Sequence, residues 1–317
     1  MARILTTARS FAVCPAAQQI LTAAGHQLEI MTPSRPYTAQ ELLPLVADFD
    51  AMIVGLDQID EQVINAGAPS LKVIARNGVG YDKVDLIAAG KNNVIVTITP
   101  GANSISVCEL AFSFITGLSR KIHLMDHNVR TGSWSRVPGV EIDGKTIGVL
   151  GTGAIGYELI KRCRAFGMRV LAYDLKPNQE LIDNYQVEYT DDLDRIYRES
   201  NYISLHLPAT DSTRNMINRE AIEKMQKGTF IINTARGELI DEDALYDALD
   251  RGHLGGAGLD AFKDEPMTDQ RFFKLNNVIL TPHTGAFTSE ASENSLIIAA
   301  QEVLRVLSEE LPHYAVK

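Results

Sequence analysis

The chain has 317 residues, 45% of them hydrophobic and 22% charged, a balance typical of globular proteins and enough chain for about two domains. Forty acidic residues against thirty basic ones give a net charge of −10, which disfavours broad contact with nucleic acid or anionic lipid and leaves a small anionic substrate dependent on a local basic pocket. No run approaches the ~20 apolar residues of a membrane span. The N-terminus enters a strand-like run directly, without a signal-peptide apolar region. Cys14, Cys108 and Cys163 are odd in number and widely spaced, so neither a disulfide framework nor a metal site is expected, and a cytoplasmic location fits best.

In chain order, short β-branched runs at Ile4 to Thr7, Leu28 to Met31, Ala51 to Gly55, Val73 to Arg76 and Val94 to Ile98 alternate with helical patterns. That alternation predicts parallel βαβ units. A long helix is predicted from Ser104 to about Thr131, opened by Pro100, Gly101 and Asn103 and stopped by Gly132. A second series follows, with strands at Thr146 to Leu150, Arg169 to Asp174, Tyr202 to Leu207, Thr229 to Asn233, Gly256 to Ala261 and Val278 to Thr281. Helical stretches between them include Ile155 to Phe166 and Glu242 to Leu249, and an amphipathic helix over Ser289 to Leu307 is expected to return to the first domain. The fold class predicted is α/β, with a Rossmann dinucleotide-binding domain (99–286) inserted in a flavodoxin-like substrate domain (1–98 and 287–317). The active site is expected in the cleft between them.

Gly151-Thr152-Gly153-Ala154-Ile155-Gly156 follows a predicted strand and opens a helix, the context that gives a glycine-rich turn its meaning. Gly151 permits the tight turn, Gly153 lets a pyrophosphate approach the backbone, and Gly156 allows close helix–strand packing. Ala154 and Ile155 begin the helix, whose first N–H groups face the phosphate charge. Asp174 ends the next strand, where a carboxylate accepts from both ribose hydroxyls and repels an extra phosphate. NAD is therefore expected over NADP.

Arg236, Glu265 and His283 each stand near the end of a predicted strand, where doubly wound sheets bind ligands. Interconverting an alcohol and a ketone needs a proton carrier, a cation for a carboxylate or developing oxyanion, and a hydride partner; His283, Arg236 and a nicotinamide supply these. Glu265 would favour the imidazolium form of His283 and orient its ring. His206, with Pro208, and Thr234, with Ala235, stand at strand ends on the expected cofactor edge.

Several segments together carry a likeness: the glycine-rich turn with Asp174, Asn233-Thr234-Ala235-Arg236-Gly237, Gly258-Leu259-Asp260-Ala261-Phe262 before Asp264-Glu265-Pro266, and Pro282-His283-Thr284-Gly285. Through them the chain resembles the D-isomer-specific 2-hydroxyacid dehydrogenases over nearly its whole length. The resemblance implies that Arg236, Glu265 and His283 are catalytic and that Asp260 contacts the nicotinamide carboxamide. It places Ser104 and Val107 on the nicotinamide side and makes Arg76-Asn77-Gly78-Val79 a substrate loop, whose backbone N–H groups approach a carboxylate. It also implies a homodimer built by the long helix, about 103–131, and the Gly132 to Arg136 segment, with Trp134 as a plausible anchor.

Within the family the likeness is greatest to D-3-phosphoglycerate dehydrogenases, without the extra C-terminal regulatory domain of some members. Arg76, and Arg136 reaching from a partner subunit, are the candidates for a phosphate. Glyoxylate or hydroxypyruvate reduction and D-lactate oxidation are the alternatives, since a few pocket side chains decide selectivity. An NAD-sensing scaffold or corepressor is the reading from another class. Formate oxidation fits less well, because it removes no proton from an alcohol.

Overall fold

The computed structural model describes residues 1–316. They divide into two units, Met1–Asn103 with the segment from Ala286 onward, and Ser104–Gly285. The first unit begins β1 (Arg3–Thr6), α1 (Pro15–Ala23), β2 (Gln27–Ile30), α2 (Ala39–Leu42), β3 (Ala51–Val54), α3 (Glu61–Gly67), β4 (Val73–Arg76), α4 (Leu86–Lys91) and β5 (Ile95–Thr97). Its parallel strands lie in the order β2-β1-β3-β4-β5, the flavodoxin-like arrangement. β3 and β4 are buried at every position, as apolar strands must be when helices cover both faces of a parallel sheet. Asp60 and Asp85 start α3 and α4 by accepting from amides of the first turn, which supplies acceptors the helix itself lacks there.

The second unit comprises α5 (Ser104–Arg120), α6 (Ile122–Arg130), β6 (Thr146–Leu150), α7 (Ala154–Ala165), β7 (Arg169–Tyr173), α8 (Gln179–Tyr185), β8 (Glu188–Tyr189), α9 (Leu193–Glu199), β9 (Tyr202–Leu205), α10 (Arg219–Lys224), β10 (Phe230–Asn233), α11 (Glu242–Asp250), β11 (Gly256–Leu259) and β12 (Val278–Leu280). Its seven-stranded sheet runs β8-β7-β6-β9-β10-β11-β12. All neighbours are parallel. The order reverses between β6 and β9, and the crevice at the carboxyl ends of those strands is where such sheets take a dinucleotide. The chain then re-enters the first unit as α12 (Ser289–Leu307) and β13 (Ala315–Val316), the latter antiparallel on β5. Leu296, Ala299, Ala300 and Val303 of α12 are fully buried among residues of β1, β3, β4 and α1. No helix among the described residues is long and apolar enough to cross a membrane.

The single long helix expected over about 103–131 is two helices. Lys121 takes a left-handed conformation, φ 53° and ψ 39°, and separates α5 from α6. The returning segment explains the break: the Val140 amide donates to the Ser119 carbonyl at 2.8 Å, taking the acceptor that the next helical turn would use. Gly139 passes so close that a Cβ there would stand 2.5 Å from the same carbonyl oxygen.

Candidate active site

The glycine-rich turn leaves β6 at its carboxyl end. Gly151 has φ +96°, and a Cβ on it would lie 2.6 Å from the His206 carbonyl oxygen, so only glycine fits. A Cβ on Gly156 would collide with the Gly151 carbonyl, whereas one on Gly153 would meet nothing within 4 Å. The three glycines thus do different work. Gly151 and Gly156 close the turn on itself and on β9, while Gly153 leaves an open approach at the amino end of α7, where Ala154 and Ile155 begin the helix. An anionic pyrophosphate fits such a cradle.

Asp174 stands just beyond β7. Its Oδ2 accepts from the Thr152 amide at 2.6 Å and the Thr152 hydroxyl at 3.0 Å, and its Oδ1 from the Lys176 amide at 3.0 Å. Partial burial opposes its charge, but these donors hold its pKa below the usual carboxylate value. An ionised carboxylate with an acceptor site left on Oδ1 beside the turn suits a ribose hydroxyl. Tyr189 donates to the Thr152 hydroxyl at 2.9 Å and so steadies this corner, a role its isolated place in the sequence does not announce.

His206 and Thr234 follow β9 and β10, which pair Leu205 with Asn233. Burial lowers the His206 pKa to about 4, so the ring is neutral at physiological pH. Its Nε2 lies 2.8 Å from the Ser204 hydroxyl, while its Nδ1 and the Thr234 hydroxyl are buried with no hydrogen-bond partner. Such groups call for one. A polar cofactor along this edge supplies it, so the residues present fit NAD. Pro208 is exposed and Ala235 partly buried on the same edge.

The turn after β10 is braced by buried Asn233, which accepts from the Ala235 amide at 3.1 Å and donates to the Arg236 carbonyl at 2.8 Å. Arg236 Nη1 donates to the Ala235 carbonyl at 2.8 Å. Gly237 abuts the Phe262–Lys263 backbone so closely that a Cβ would overlap it. The arginine turn is thereby set against the loop carrying Glu265.

His283 Nδ1 lies 2.9 Å from each Glu265 carboxylate oxygen. The glutamate is itself placed by the Phe262 amide, which donates to its Oε1 at 3.1 Å. The hydrogen bond to Glu265 raises the His283 pKa above its ordinary value despite the opposing effect of burial. Burial pushes Glu265 upward, but the His283 hydrogen bond and charge, the Phe262 amide and the Arg236 charge hold it below its ordinary value. Charged His283 and charged Glu265 therefore favour each other.

Asp260 is 1% exposed. Its Oδ1 accepts from the Thr281 hydroxyl at 2.5 Å and the Thr284 amide at 2.7 Å, and its Oδ2 from the Gly285 amide at 2.8 Å. The acid clasps the turn on both sides of His283. Val107, buried on α5, lies against Gly285 from below, and Ser104 is buried at the start of that helix.

In the first unit, Arg76 ends β4 only 5% exposed. Its Nη1 faces the Asn77 carbonyl at 3.2 Å and the Val54 carbonyl at 3.5 Å, so it is no surface arginine. The Gly78 amide, expected to be open to a carboxylate, donates to the Thr99 hydroxyl at 2.9 Å and to the Arg76 carbonyl at 3.0 Å. Val79 is partly buried. Arg136 is exposed, and Trp134 is 79% exposed and so is not a core residue.

A doubly wound sheet with a glycine-rich turn, an acid at the next strand end and a histidine–carboxylate pair defines the class of nicotinamide-dependent oxidoreductases. Residues 112–285 match the family model described as D-isomer specific 2-hydroxyacid dehydrogenase, NAD binding domain. The chain is 41% identical over 276 residues to a D-3-phosphoglycerate dehydrogenase of Methanocaldococcus jannaschii, covering 86% of this chain and 53% of that protein. It is also 41% identical to a hydroxypyruvate reductase of Thermotoga maritima, over 88% of this chain and 92% of that protein. A crystal structure of D-lactate dehydrogenase from Aquifex aeolicus with NAD and lactic acid superposes with TM-score 0.84 at 31% identity, covering 97% of this chain and 96% of that one. The chain belongs to the D-isomer-specific 2-hydroxyacid dehydrogenase family, and the domain matched is its NAD-binding domain. It spans about half the length of the phosphoglycerate dehydrogenase relative.

Proposed function

We propose that this chain interconverts a short D-2-hydroxy acid and its 2-keto acid, with the second unit as the NAD-binding domain and the first as the substrate domain. The observation that carries the reading is the His283–Glu265 pair, set by two parallel-strand ends beside Arg236. Bound NAD supplies or takes up the hydride. With Nδ1 committed to Glu265, the His283 ring has Nε2 left for proton exchange with the substrate oxygen. The raised pKa keeps that proton available for ketone reduction. Arg236 offers a permanent positive charge to the carboxylate or the developing oxyanion. A scaffold or corepressor needs none of this alignment, and would bind NADH without turnover.

For the substrate we favour a three-carbon acid. The likeness to the Methanocaldococcus jannaschii phosphoglycerate dehydrogenase supports 3-phosphohydroxypyruvate. The buried Arg76, turned to main-chain carbonyls, supports unphosphorylated hydroxypyruvate instead. Both are assayed through loss of NADH absorbance beside glyoxylate and pyruvate. The buried placement of Arg76 predicts that Arg76→Ala impairs both three-carbon substrates alike. A loss confined to the phosphorylated one would show that Arg76 holds the phosphate.

A further inference from the structure

The loop after β4 presents main-chain donors, and which of them are available is decided by two hydroxyls from distant parts of the chain. Arg76 Nη1 faces the Asn77 carbonyl at 3.2 Å, and the Gly78 amide donates to Thr99 Oγ1 at 2.9 Å. Both polar ends of the Asn77–Gly78 peptide are therefore held by the protein. Thr99 also donates its own amide to the Gly78 carbonyl at 3.0 Å, which makes the contact reciprocal. Gly78 has φ +139°, a conformation that glycine tolerates and that the two bonds to Thr99 maintain.

Thr99 is 1% exposed and its hydroxyl lies 2.6 Å from that of Ser295, itself 5% exposed on α12. A hydroxyl has one proton and two acceptor sites. With one site of Thr99 taken by the Gly78 amide, the Ser295 contact completes the arrangement and links the loop to a helix 196 residues away in sequence. The next two amides, of Val79 and Gly80, donate to no group among the described residues.

We propose that Thr99 and Ser295 are positioning residues for the carboxylate end of the substrate: they turn the Asn77–Gly78 peptide inward, so that the Val79 and Gly80 amides are the donors offered to the anion. The proposal rests on the reading of this loop as a carboxylate holder. Consecutive N–H groups on a fixed turn form a small anion-binding concavity. Fixing them beforehand spares the ordering cost when substrate arrives.

Thr99→Val keeps the side-chain volume and removes the hydroxyl. It should raise KM for hydroxypyruvate about tenfold, the scale of one hydrogen bond, with kcat within about threefold and NADH affinity unchanged. Thr99→Ser should restore the wild-type KM, and Ser295→Ala should move KM in the same direction by less. Amide exchange at Gly78, whose N–H donates to the Thr99 hydroxyl, should quicken in the Val and Ala variants. The proposal is overturned if folded Thr99→Val keeps its KM, or if thermal stability falls while KM and exchange do not change. Should Thr99→Val not fold, Ser295→Ala carries the same test. Wild-type protein with no turnover on any short 2-keto acid would defeat the functional reading, and amide exchange would then decide on the clamp alone.

Discussion

His283 sits at φ +52°, a left-handed conformation that costs a non-glycine residue energy and persists only where its surroundings over-determine it. Asp260 provides that constraint through the Thr281 hydroxyl and the Thr284 and Gly285 amides. The ring is thereby set for proton transfer, and His283→Ala should lower turnover by ~10²–10⁴ with NADH binding nearly intact, as measured by steady-state kinetics beside fluorescence titration. Loss of NADH binding in parallel with turnover would instead make His283 part of the cofactor site. The pH dependence has a definite sign. His283 has a raised pKa, so reduction runs at low pH and falls as pH rises through that raised value. Glu265→Gln removes the negative charge and leaves only a neutral acceptor for the ring, so this limb should move to lower pH. An unmoved limb would show that Glu265 does not tune the ring. The pair also adds stability, lost below the lowered Glu265 pKa and above the raised His283 pKa.

At the level of elements, α12 was predicted over the residues it occupies and β4 and β6 between their observed ends, because period and punctuation coincide there. For β7, β9, β11 and β12 the sequence pattern runs past the carboxyl end, to Asp174, Leu207, Ala261 and Thr281, whereas β10 ends at Asn233 as expected but starts one residue later, and the two-residue β8 has no counterpart in the pattern. These overshoots have one physical cause. The backbone beyond the last paired residue stays extended, and the His206 and Thr281 amides still donate to the Leu150 and Leu259 carbonyls of neighbouring strands, while the Asp174 and Thr281 side chains turn to Thr152 and Asp260 in the site. Arg236, Glu265 and His283 were legible because motifs carry them. The Asp260 clasp, Thr99 and Ser295 were not, since each acts through partners far away in sequence. The break at Lys121 was equally hidden, because its cause is the Val140 amide across space. The corner formed by β6, the glycine turn and β7 yields its own test. Asp174→Ala should weaken NAD more than NADP, by removing ribose acceptors and phosphate repulsion together. An unchanged preference ratio in a folded variant would remove Asp174 as the selector.

For the whole molecule, the surface of the second unit bears on assembly. Ile122 and Val129 of α6 are 57% and 56% exposed, Ile105 of α5 is 55% exposed, and Trp134 is 79% exposed. Ile122, Met125 and Val129 line a shallow cavity beside Arg120 and Asp126. An apolar surface group such as Ile122, Met125 and Val129 form is suited to an interaction surface, and an exposed Trp is a frequent anchor at interfaces. We propose a twofold homodimer through α5, α6 and the Gly132 to Arg136 segment, in which a self-complementary patch buries the same residues of both copies. Light scattering at micromolar protein should give twice the chain mass. Val129→Glu with Trp134→Ser should shift the mass to that of a single chain while leaving the His283–Glu265 pair unaltered, because neither replaced residue touches it. A wild-type monomer would rule the dimer out. A double variant that remains dimeric would place the interface on another face, and with it would go the proposal that Arg136 reaches a partner's substrate.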